Sequence, residues 1–270
     1  MASVNTNIGA MVALSDLSAT QSSLNVTQNR ISTGLKVTGP QDNASDFSIA
    51  QGIRSDLKAF DAVQQSLSSG TGIIQTAIAG ATSVSDLLNS IKSKVIESSN
   101  PSNTSNQQSI LANDFNAMIA QLNTFISNSV YNGRNLLSAG SISVSVTSTI
   151  SGGQLTLNNA SSLAGISATL STGVATTAAA LALLTTVDAQ QLVIGTALGS
   201  LGAAANNLNF LSTFTKSLSD AVNQGLGSLV DANLAKESAN LQSLQVKQQL
   251  GVQALSIANQ RPQIILSLFR

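Results

Sequence analysis

The residue types that most often carry enzyme chemistry are rare or absent in this 270-residue chain. It contains no cysteine and no histidine, which excludes thiol nucleophiles, Cys/His zinc sites and mechanisms that need an imidazole base. Asp56 and Asp61 lie close in sequence, but we expect them on the solvated side of a helix and not as an acid/base pair. Gly70-Thr71-Gly72 is expected within a helix, so it does not form a phosphate-binding loop. The sequence therefore predicts no enzymatic activity, no metal and no cofactor.

The charge and composition favour contacts between copies of the chain. Twelve basic and twelve acidic residues give no net charge, so there is no electrostatic signature of nucleic-acid or anionic-membrane binding. Charged residues make up 9% of the chain and hydrophobic residues 43%, and a weakly charged surface costs little to desolvate against itself. The most apolar run, 175–184, is too short to span a bilayer. The first ten residues lack the features of a cleavable secretory signal, so any export is expected to use another route.

Two long segments repeat apolar residues every seven positions, which is the pattern of helices that pack along a narrow seam. The first segment covers 53–95 and the second covers 187–229. Each helix would be roughly 60 Å long at about 1.5 Å per residue. We predict a mainly α fold in which two long antiparallel coiled-coil helices flank a small central β-hairpin region. The predicted residues of the long-helix seam are Phe60, Leu67, Ile74, Leu88, Leu201, Leu208 and Val222.

Glycine, proline and capping signals predict where the elements begin and end. A first helix over 4–35 is expected to end at a left-handed Gly34, and Asp42 is the expected N-cap of the next helix, which runs from about Ala44 to Ser98. A third helix is predicted over 105–127. Its expected buried face is Ile110, Leu111, Met118, Leu122 and Phe125.

The second half of the chain begins with a predicted tight turn at Asn132-Gly133. Alternating apolar residues on either side of Gly152-Gly153 predict a β-hairpin, and 158–175 is expected to be loop or weak strand. The second long helix should run from about 177 to 224, with a break or bend at Gly225-Leu226-Gly227. A last helix over 228–260 should stop at Pro262.

The two ends of the chain form amphipathic arms that a single copy has too little chain to bury. We divide the sequence into an N-terminal arm (1–42), two halves of a helical domain (43–137 and 177–226), a central segment (138–176) and a C-terminal arm (227–270). Uncovered apolar stripes on the arms are expected to pack against neighbouring copies. The predicted polymerisation residues are Leu14, Leu17, Leu24, Ile31, Leu241, Leu244, Leu255 and Leu268.

Several separate motifs occur in order along the two halves of the chain. The N-terminal half carries Arg30-Ile31-Ser32-Thr33-Gly34-Leu35-Lys36-Val37, followed by Asp42-Asn43-Ala44. The C-terminal half carries Asp231-Ala232-Asn233-Leu234, Gln248-Gln249-Leu250-Gly251 and the terminal Leu266-Ser267-Leu268-Phe269-Arg270. Together these motifs resemble those of bacterial flagellins. The resemblance covers roughly 1–137 and 180–270, and several ordered motifs make it more specific than any one of them.

Resemblance to flagellins implies a structural subunit that polymerises with copies of itself into the helical filament of the bacterial flagellum. It also implies a secreted, extracellular protein used in swimming motility, whose partners are the flagellar export apparatus, an export chaperone, the filament cap and the hook-junction proteins. In that family the terminal arms line the inside of the filament and the middle of the chain faces outward. About 40 residues separate the matched halves here, so we expect a filament without large outer domains.

Two other functions remain open at this point. A hook–filament junction protein shares these terminal helices, but it would not make long filaments alone. An enzyme or binding module within 138–176 is disfavoured because the segment has few charged or aromatic groups to build a pocket. By resemblance, the segment Leu88–Lys94 corresponds to one read by a host innate receptor. It lacks the arginine and acidic residue usual there, so we expect weak receptor activation.

Overall fold

A computed structural model describes residues 6–268, with the backbone alone from 261 onward. The chain divides into two compact units. Unit 1 consists of two segments, the residues up to Ser55 and those from Ala221 onward, and unit 2 is Asp56–Asp220. The elements in chain order are α1 (Ile8–Thr33), α2 (Ala44–Ser98), α3 (Ser105–Asn128), β1 (Val144–Thr147), β2 (Gln154–Leu157), a 3-10 turn (Ser161–Ala164), α4 (Gly165–Leu170), α5 (Thr177–Val230) and α6 (Leu234–Leu268). The predicted mainly α class with a small central hairpin is confirmed.

The core of unit 2 lies along α2 and α5, which run antiparallel. Gln64 Nε2 donates to Ser212 Oγ near one end, and Lys92 Nζ pairs with Asp188 Oδ1 at 2.6 Å near the other. Residue numbers rise on α2 as they fall on α5, which is the antiparallel arrangement that the two seven-residue repeats predicted. Six seam residues are buried in unit 2, and the seventh, Val222, is half-buried in unit 1. The six are Phe60, Leu67, Ile74, Leu88, Leu201 and Leu208.

The segment after α2 is held by a capping box and a buried amide. Thr104 accepts from the Gln107 backbone N–H, and the Gln107 side chain accepts from the Thr104 N–H. Gln108 Nε2 donates to the backbone oxygen of Val174 at 2.6 Å and also to Ser98 Oγ. One buried side chain therefore joins the end of α2, the start of α3 and the stretch of chain that leads into α5.

The buried face of α3 differs from the predicted one. Leu111 and Leu122 are buried as expected, and Met118 and Phe125 are partly buried against the core. Ile110 is exposed, and its place is taken by Phe115 and Ile126, which continue the row of Leu111 and Leu122 at helical spacing. The prediction failed at Ile110 because two adjacent apolar residues lie about 100° apart on a helix, so only one can face the core.

The central segment contains the predicted hairpin and turn. β1 pairs antiparallel with β2 from Val144 opposite Leu157 to Thr147 opposite Gln154. Asn132 and Gly133 both have positive φ, 48° and 75°, as the predicted Asn-Gly turn requires. The expectation of loop or weak strand for 158–175 was wrong, because 161–170 is helical with Leu163, Ile166 and Leu170 buried in the core.

Three predicted helix ends also differ. Asn43, not Asp42, caps α2, since its side-chain oxygen accepts from the backbone N–H of Ser45 and Asp46. Helix α5 continues through 225–227 to Val230, because Leu226, Leu229 and Val230 pack in an apolar cluster that offsets the low helix propensity of glycine. Helix α6 continues through 262 to Leu268: a proline removes one helical hydrogen bond, and this does not end the helix here.

Glycines on α2 allow neighbouring chain to approach its backbone. A Cβ built on Gly80 would overlap Ser129 Oγ and lie 2.8 Å from Ser129 Cβ, and one built on Gly72 would lie 2.6 Å from the Tyr131 ring. Side chains at these two positions would push away the chain that follows α3. Gly80 and Gly72 thus fix how closely the 129–131 segment packs on α2.

Candidate assembly interface

The two terminal helices α1 and α6 pack on each other as an antiparallel pair, which we call the arm pair. Asn7 Nδ2 donates to the backbone oxygen of Ala258 at 2.7 Å. Gln248 Nε2 donates to Gln21 Oε1 at 2.6 Å, and Arg30 Nη1 lies 3.5 Å from Glu237 Oε1. The partner numbers on α6 fall as those on α1 rise, so the first turn of α1 lies against a late part of α6.

Most of the predicted polymerisation residues face the opposite arm of the same copy. Leu24 is 4% exposed, and a Cβ built on Gly251 would lie 3.3 Å from Leu17 Cδ1. Leu14 differs, because it is 57% exposed. The side chain of Leu268 lies outside the described residues. The remaining predicted polymerisation residues are half-buried: Leu17, Ile31, Leu241, Leu244 and Leu255.

A second set of apolar residues on the arm pair faces away from it. Leu14 is the one member of this set that the sequence analysis also assigned to polymerisation. The other members were not assigned, and they could have been found as the apolar residues left over after the predicted interface is listed. Exposed members of this outward set are Ile8, Met11, Val12, Leu14, Val26, Leu234, Val246, Leu250, Val252 and Ile257.

Two open grooves run between α1 and α6, one on each side of the pair. One is lined by Leu14, Leu17, Ser18, Gln21 and Val252, among others. The lining residues of the other include Val12, Ala13, Asp16, Leu250 and Ala254. At about 100° per residue the α1 residues of the two grooves lie on opposite flanks of the helix. Each flank thus presents a shallow apolar channel with a polar rim.

Behind the arm pair, the two turns that lead into α2 and α6 are bonded to each other. Lys36 N donates to Val230 O at 2.7 Å, and Ala232 N donates to Gly34 O at 2.8 Å. Gly34 has φ 73°, the left-handed cap that the sequence predicted. Val37, Ala50 and Val230 are buried beside these bonds. The motif around 30–37 therefore forms a structural junction, which we call the corner.

Two acidic side chains at the corner, Glu237 and Asp42, have close polar partners. Glu237 is buried and lies against Arg30. Asp42 Oδ2 accepts from the Thr38 hydroxyl at 2.7 Å and from the backbone N–H of Thr38 at 2.8 Å. These hydrogen bonds favour the charged carboxylate, so they hold the pKa of Asp42 below its ordinary value of 3.8. Asp42 thus stabilises the loop before α2 and not the helix end.

The described residues offer little for chemistry or for a membrane. Within residues 6–268 no group of three or more His, Cys, Asp or Glu could hold a metal. Helix α5 is long and apolar enough to cross a bilayer, but its buried row, which includes Val187, Ile194 and Leu201, belongs to the core of unit 2.

Comparisons with known proteins agree with this description. The family model for the bacterial flagellin N-terminal helical region matches residues 4–141, and that for the bacterial flagellin C-terminal helical region matches 184–269. Flagellin FljK of Caulobacter vibrioides is 39% identical over 269 residues, 99% of this chain and 98% of that protein. A flagellin of Brucella melitensis is 37% identical over 285 residues, with both chains fully covered.

A solved structure described as a putative flagellar hook-associated protein from Vibrio parahaemolyticus shares the fold. Its TM-score is 0.59 at 16% identity, and the match covers 70% of this chain and 100% of that one. At this identity the likeness concerns the fold alone.

Proposed function

Because this chain belongs to the bacterial flagellin family, we infer that it is a structural subunit of the flagellar filament, which polymerises with copies of itself. Flagellins are structural proteins and not enzymes, and members of the family form the extracellular flagellar filament. The hook–filament junction alternative is not favoured, because proteins named flagellin match the chain over nearly its whole length.

The arm pair is the part of the chain that we propose to make the inter-copy contacts. The observation that carries this proposal is the outward apolar set on α1 and α6, exemplified by Leu14, Leu250 and Val252. The predicted heptad residues would act indirectly in this scheme, because Leu17, Leu24 and Leu255 hold the two arms together. Leu14 would act directly, since it lies in a groove and is exposed. The part played by Leu268 stays a prediction.

Each such contact is modest, and the polymer gains from their number. Full burial of one leucine or valine side chain contributes about 1.5–3 kcal/mol, and association of any two copies must first overcome the loss of their translational and rotational freedom. A subunit with several neighbours loses that freedom once and makes many contacts. The arms would therefore be stabilised chiefly by assembly.

The arrangement of the parts follows the sequence-based division. We propose that the arms at 1–42 and 227–270 form the inside of the filament, that 43–137 and 177–226 form the surrounding helical shell, and that 138–176 faces outward. Secretion, and contacts with the export apparatus, an export chaperone, the filament cap and the hook-junction proteins, are proposed on the family resemblance.

The experiment is assembly of the purified chain, followed by electron microscopy and sedimentation. The wild type should form long filaments alone, which a junction protein would not do. Leu14→Glu and Val252→Glu should block assembly, and circular dichroism should show that the melting of the monomer is preserved. Gln75→Glu, which places the same charge on an exposed site of unit 2, is the matched control. Filaments from both arm variants at wild-type concentrations would contradict the proposed role of the arms.

A further inference from the structure

The chain contains one asparagine that is followed directly by glycine, at Asn132-Gly133. Asparagine is a thermolabile residue, because its side-chain amide carbon can be attacked by the backbone nitrogen of the next residue. Glycine at that next position has no Cβ to obstruct the approach. Asn132 therefore has the sequence context in which this reaction is easiest, and the proposed contacts of the arms do not involve it.

The pair occupies the two central positions of the tight turn after α3. Tyr131 N donates to Arg134 O and Arg134 N donates to Tyr131 O, both at 2.9 Å. Asn132 and Gly133 are exposed to solvent. Within the described part of the chain, no group is hydrogen-bonded to the Asn132 amide or to the Gly133 N–H. Water reaches both reacting groups, and what restrains them is the conformation of the turn.

We propose that Asn132 is a deamidation site, open to reaction while the turn is unfolded and closed once it has formed. The Gly133 nitrogen bonds to Cγ of Asn132, the Cγ–Nδ2 bond breaks, and ammonia leaves with the former Gly133 proton. The product is a five-membered cyclic imide. Water then opens the ring at either carbonyl, giving aspartate or isoaspartate at position 132. The net reaction consumes one water and releases one ammonia, and it needs no oxidant or reductant.

The folded turn opposes ring closure. The imide ring contains Cα, Cβ, Cγ and the backbone carbon of Asn132, so the Gly133 nitrogen must lie on the same side as Cβ. Asn132 has φ 48°, and in this left-handed region ψ is about +30° to +60°, which places that nitrogen on the side away from Cβ. Rotation to the reactive side breaks the two bonds between Tyr131 and Arg134. Reaction in the folded chain therefore requires local opening of the turn.

The two products differ in what they do to the turn. Aspartate leaves the main chain unchanged, and it tolerates the left-handed conformation as asparagine does. Isoaspartate continues the main chain through the side-chain carbon and lengthens it by one methylene, so the turn cannot keep both bonds between Tyr131 and Arg134. The Tyr131 ring packs where a Cβ on Gly72 would lie 2.6 Å away. Isoaspartate at 132 should therefore loosen the 129–131 segment from α2.

The experiment incubates the wild-type monomer in mildly alkaline buffer, with and without urea. Mass spectrometry of peptides measures conversion at Asn132, and enzymatic methylation of isoaspartate measures the second product. We expect conversion in urea to be about tenfold faster or more than in the folded monomer, because two backbone hydrogen bonds must open in the latter. Asn135 is the matched control site, since Leu136 follows it and obstructs the attack. It should stay unconverted in both conditions.

Two variants extend the test. Gly133→Ala should lose most of the conversion in urea, where the effect of the new methyl group does not depend on folding. Asn132→Asp reproduces the first product and should melt at the wild-type temperature. Wild-type chain that has been converted in urea and refolded should contain an isoaspartate fraction that melts at a lower temperature than Asn132→Asp.

Each outcome bears on the inference. An Asn132 that remains intact in urea would show that it is not a deamidation site. Equal rates in urea and in buffer would show that the turn does not close the site, and an isoaspartate fraction that melts like wild type would contradict the loosening of 129–131. All readouts use the monomer, so none of these failures would count against polymerisation of the chain.

Discussion

The close approach of the 129–131 segment to α2 gives a sharp test of the packing in unit 2. In the variant Gly80→Ala the new methyl group would overlap Ser129 Oγ and lie 3.0 Å from Leu137 Cδ1. Ser129 cannot rotate away without losing the bond from its hydroxyl to the Phe125 carbonyl, which is 2.6 Å long. The chain after α3 must therefore move.

Two opposing effects decide the magnitude. Overpacking of a well-packed site costs about 1–3 kcal/mol, and the overlap at Ser129 places Gly80→Ala at the upper end of that range. Replacing glycine by alanine within a helix contributes up to about 1 kcal/mol in the other direction. The net loss should be about 2 kcal/mol, which for a unit of this size lowers the melting temperature by roughly 4–8 °C.

Two further variants identify the cause. Gly195→Ala makes the same substitution on α5 where nothing lies within 4 Å, so it should raise monomer stability by up to about 1 kcal/mol. Gly80→Ala combined with Ser129→Gly removes the group that the methyl meets, and it should recover most of the loss. The assay is calorimetric melting of the monomer. If Gly80→Ala melted at or above the wild-type temperature, the close approach of Ser129 to α2 would not exist.

Three other perturbations follow from the described contacts. Gln108→Ala removes the two hydrogen bonds that its amide donates, to Ser98 Oγ and to the Val174 carbonyl, and leaves that carbonyl with the Ser98 hydroxyl as a donor. Urea unfolding should show a loss of about 1–3 kcal/mol, and an unchanged midpoint would show that the amide does not join these segments. Glu237→Ala and the similarly sized, uncharged Glu237→Gln both remove the charge that faces Arg30 at the corner, so filaments of both variants should dissociate at a lower temperature than wild-type filaments. Wild-type dissociation temperatures for both would exclude a role for this ion pair. Hydrogen bonds from Thr38 lower the pKa of Asp42, so the stabilising effect of its carboxylate is present above pH 3.8 and is lost as the pH falls through the folded-state pKa. The variant Asp42→Asn should therefore melt at a lower temperature than wild type at pH 7, and at the same temperature at pH values below that pKa. A difference in melting temperature that does not depend on pH would refute the assignment.

The long-range pairing in unit 2 could be predicted because its signal is redundant. Two helices each repeat apolar residues every seven positions, and Leu67, Ile74, Leu201 and Leu208 are all buried. A single misplaced residue does not alter the phase of so long a pattern. The predictions that failed depended on one or two residues, such as the choice of Asp42 over Asn43 as the cap.

Other differences arose where tertiary packing outweighs local preference. Gly225 and Gly227 favour a break, but the apolar cluster that contains Leu226 and Val230 keeps α5 helical. The short helix at 165–170 was hidden by a Ser-, Ala- and Gly-rich composition, although Ile166 and Leu170 are spaced four apart as on a helix face. In both cases the deciding contact lies far away in sequence.

The arm residues show what a repeat can and cannot reveal about a surface. The pattern identified an amphipathic arm at each end of the chain and assigned residues such as Leu24 to contacts with neighbouring copies, whereas Leu24 is buried in the pair that α1 and α6 form within one copy. Apart from Leu14, it did not choose the residues that are exposed on the arm pair, because an apolar stripe alone does not show which of its residues the opposite arm covers. The outward set became visible once α1 and α6 were placed side by side.

The corner joins Lys36 to Val230 by backbone hydrogen bonds across about 190 residues of chain, so closing it carries a loop entropy that grows with that separation. If the N-terminus of a chain becomes available first, the α1 segment stays unpaired until nearly all of the remaining residues, up to α6, are available. The arm pair would then be the last part of the chain to form. The α1 segment therefore cannot form the arm pair until nearly the whole chain is available.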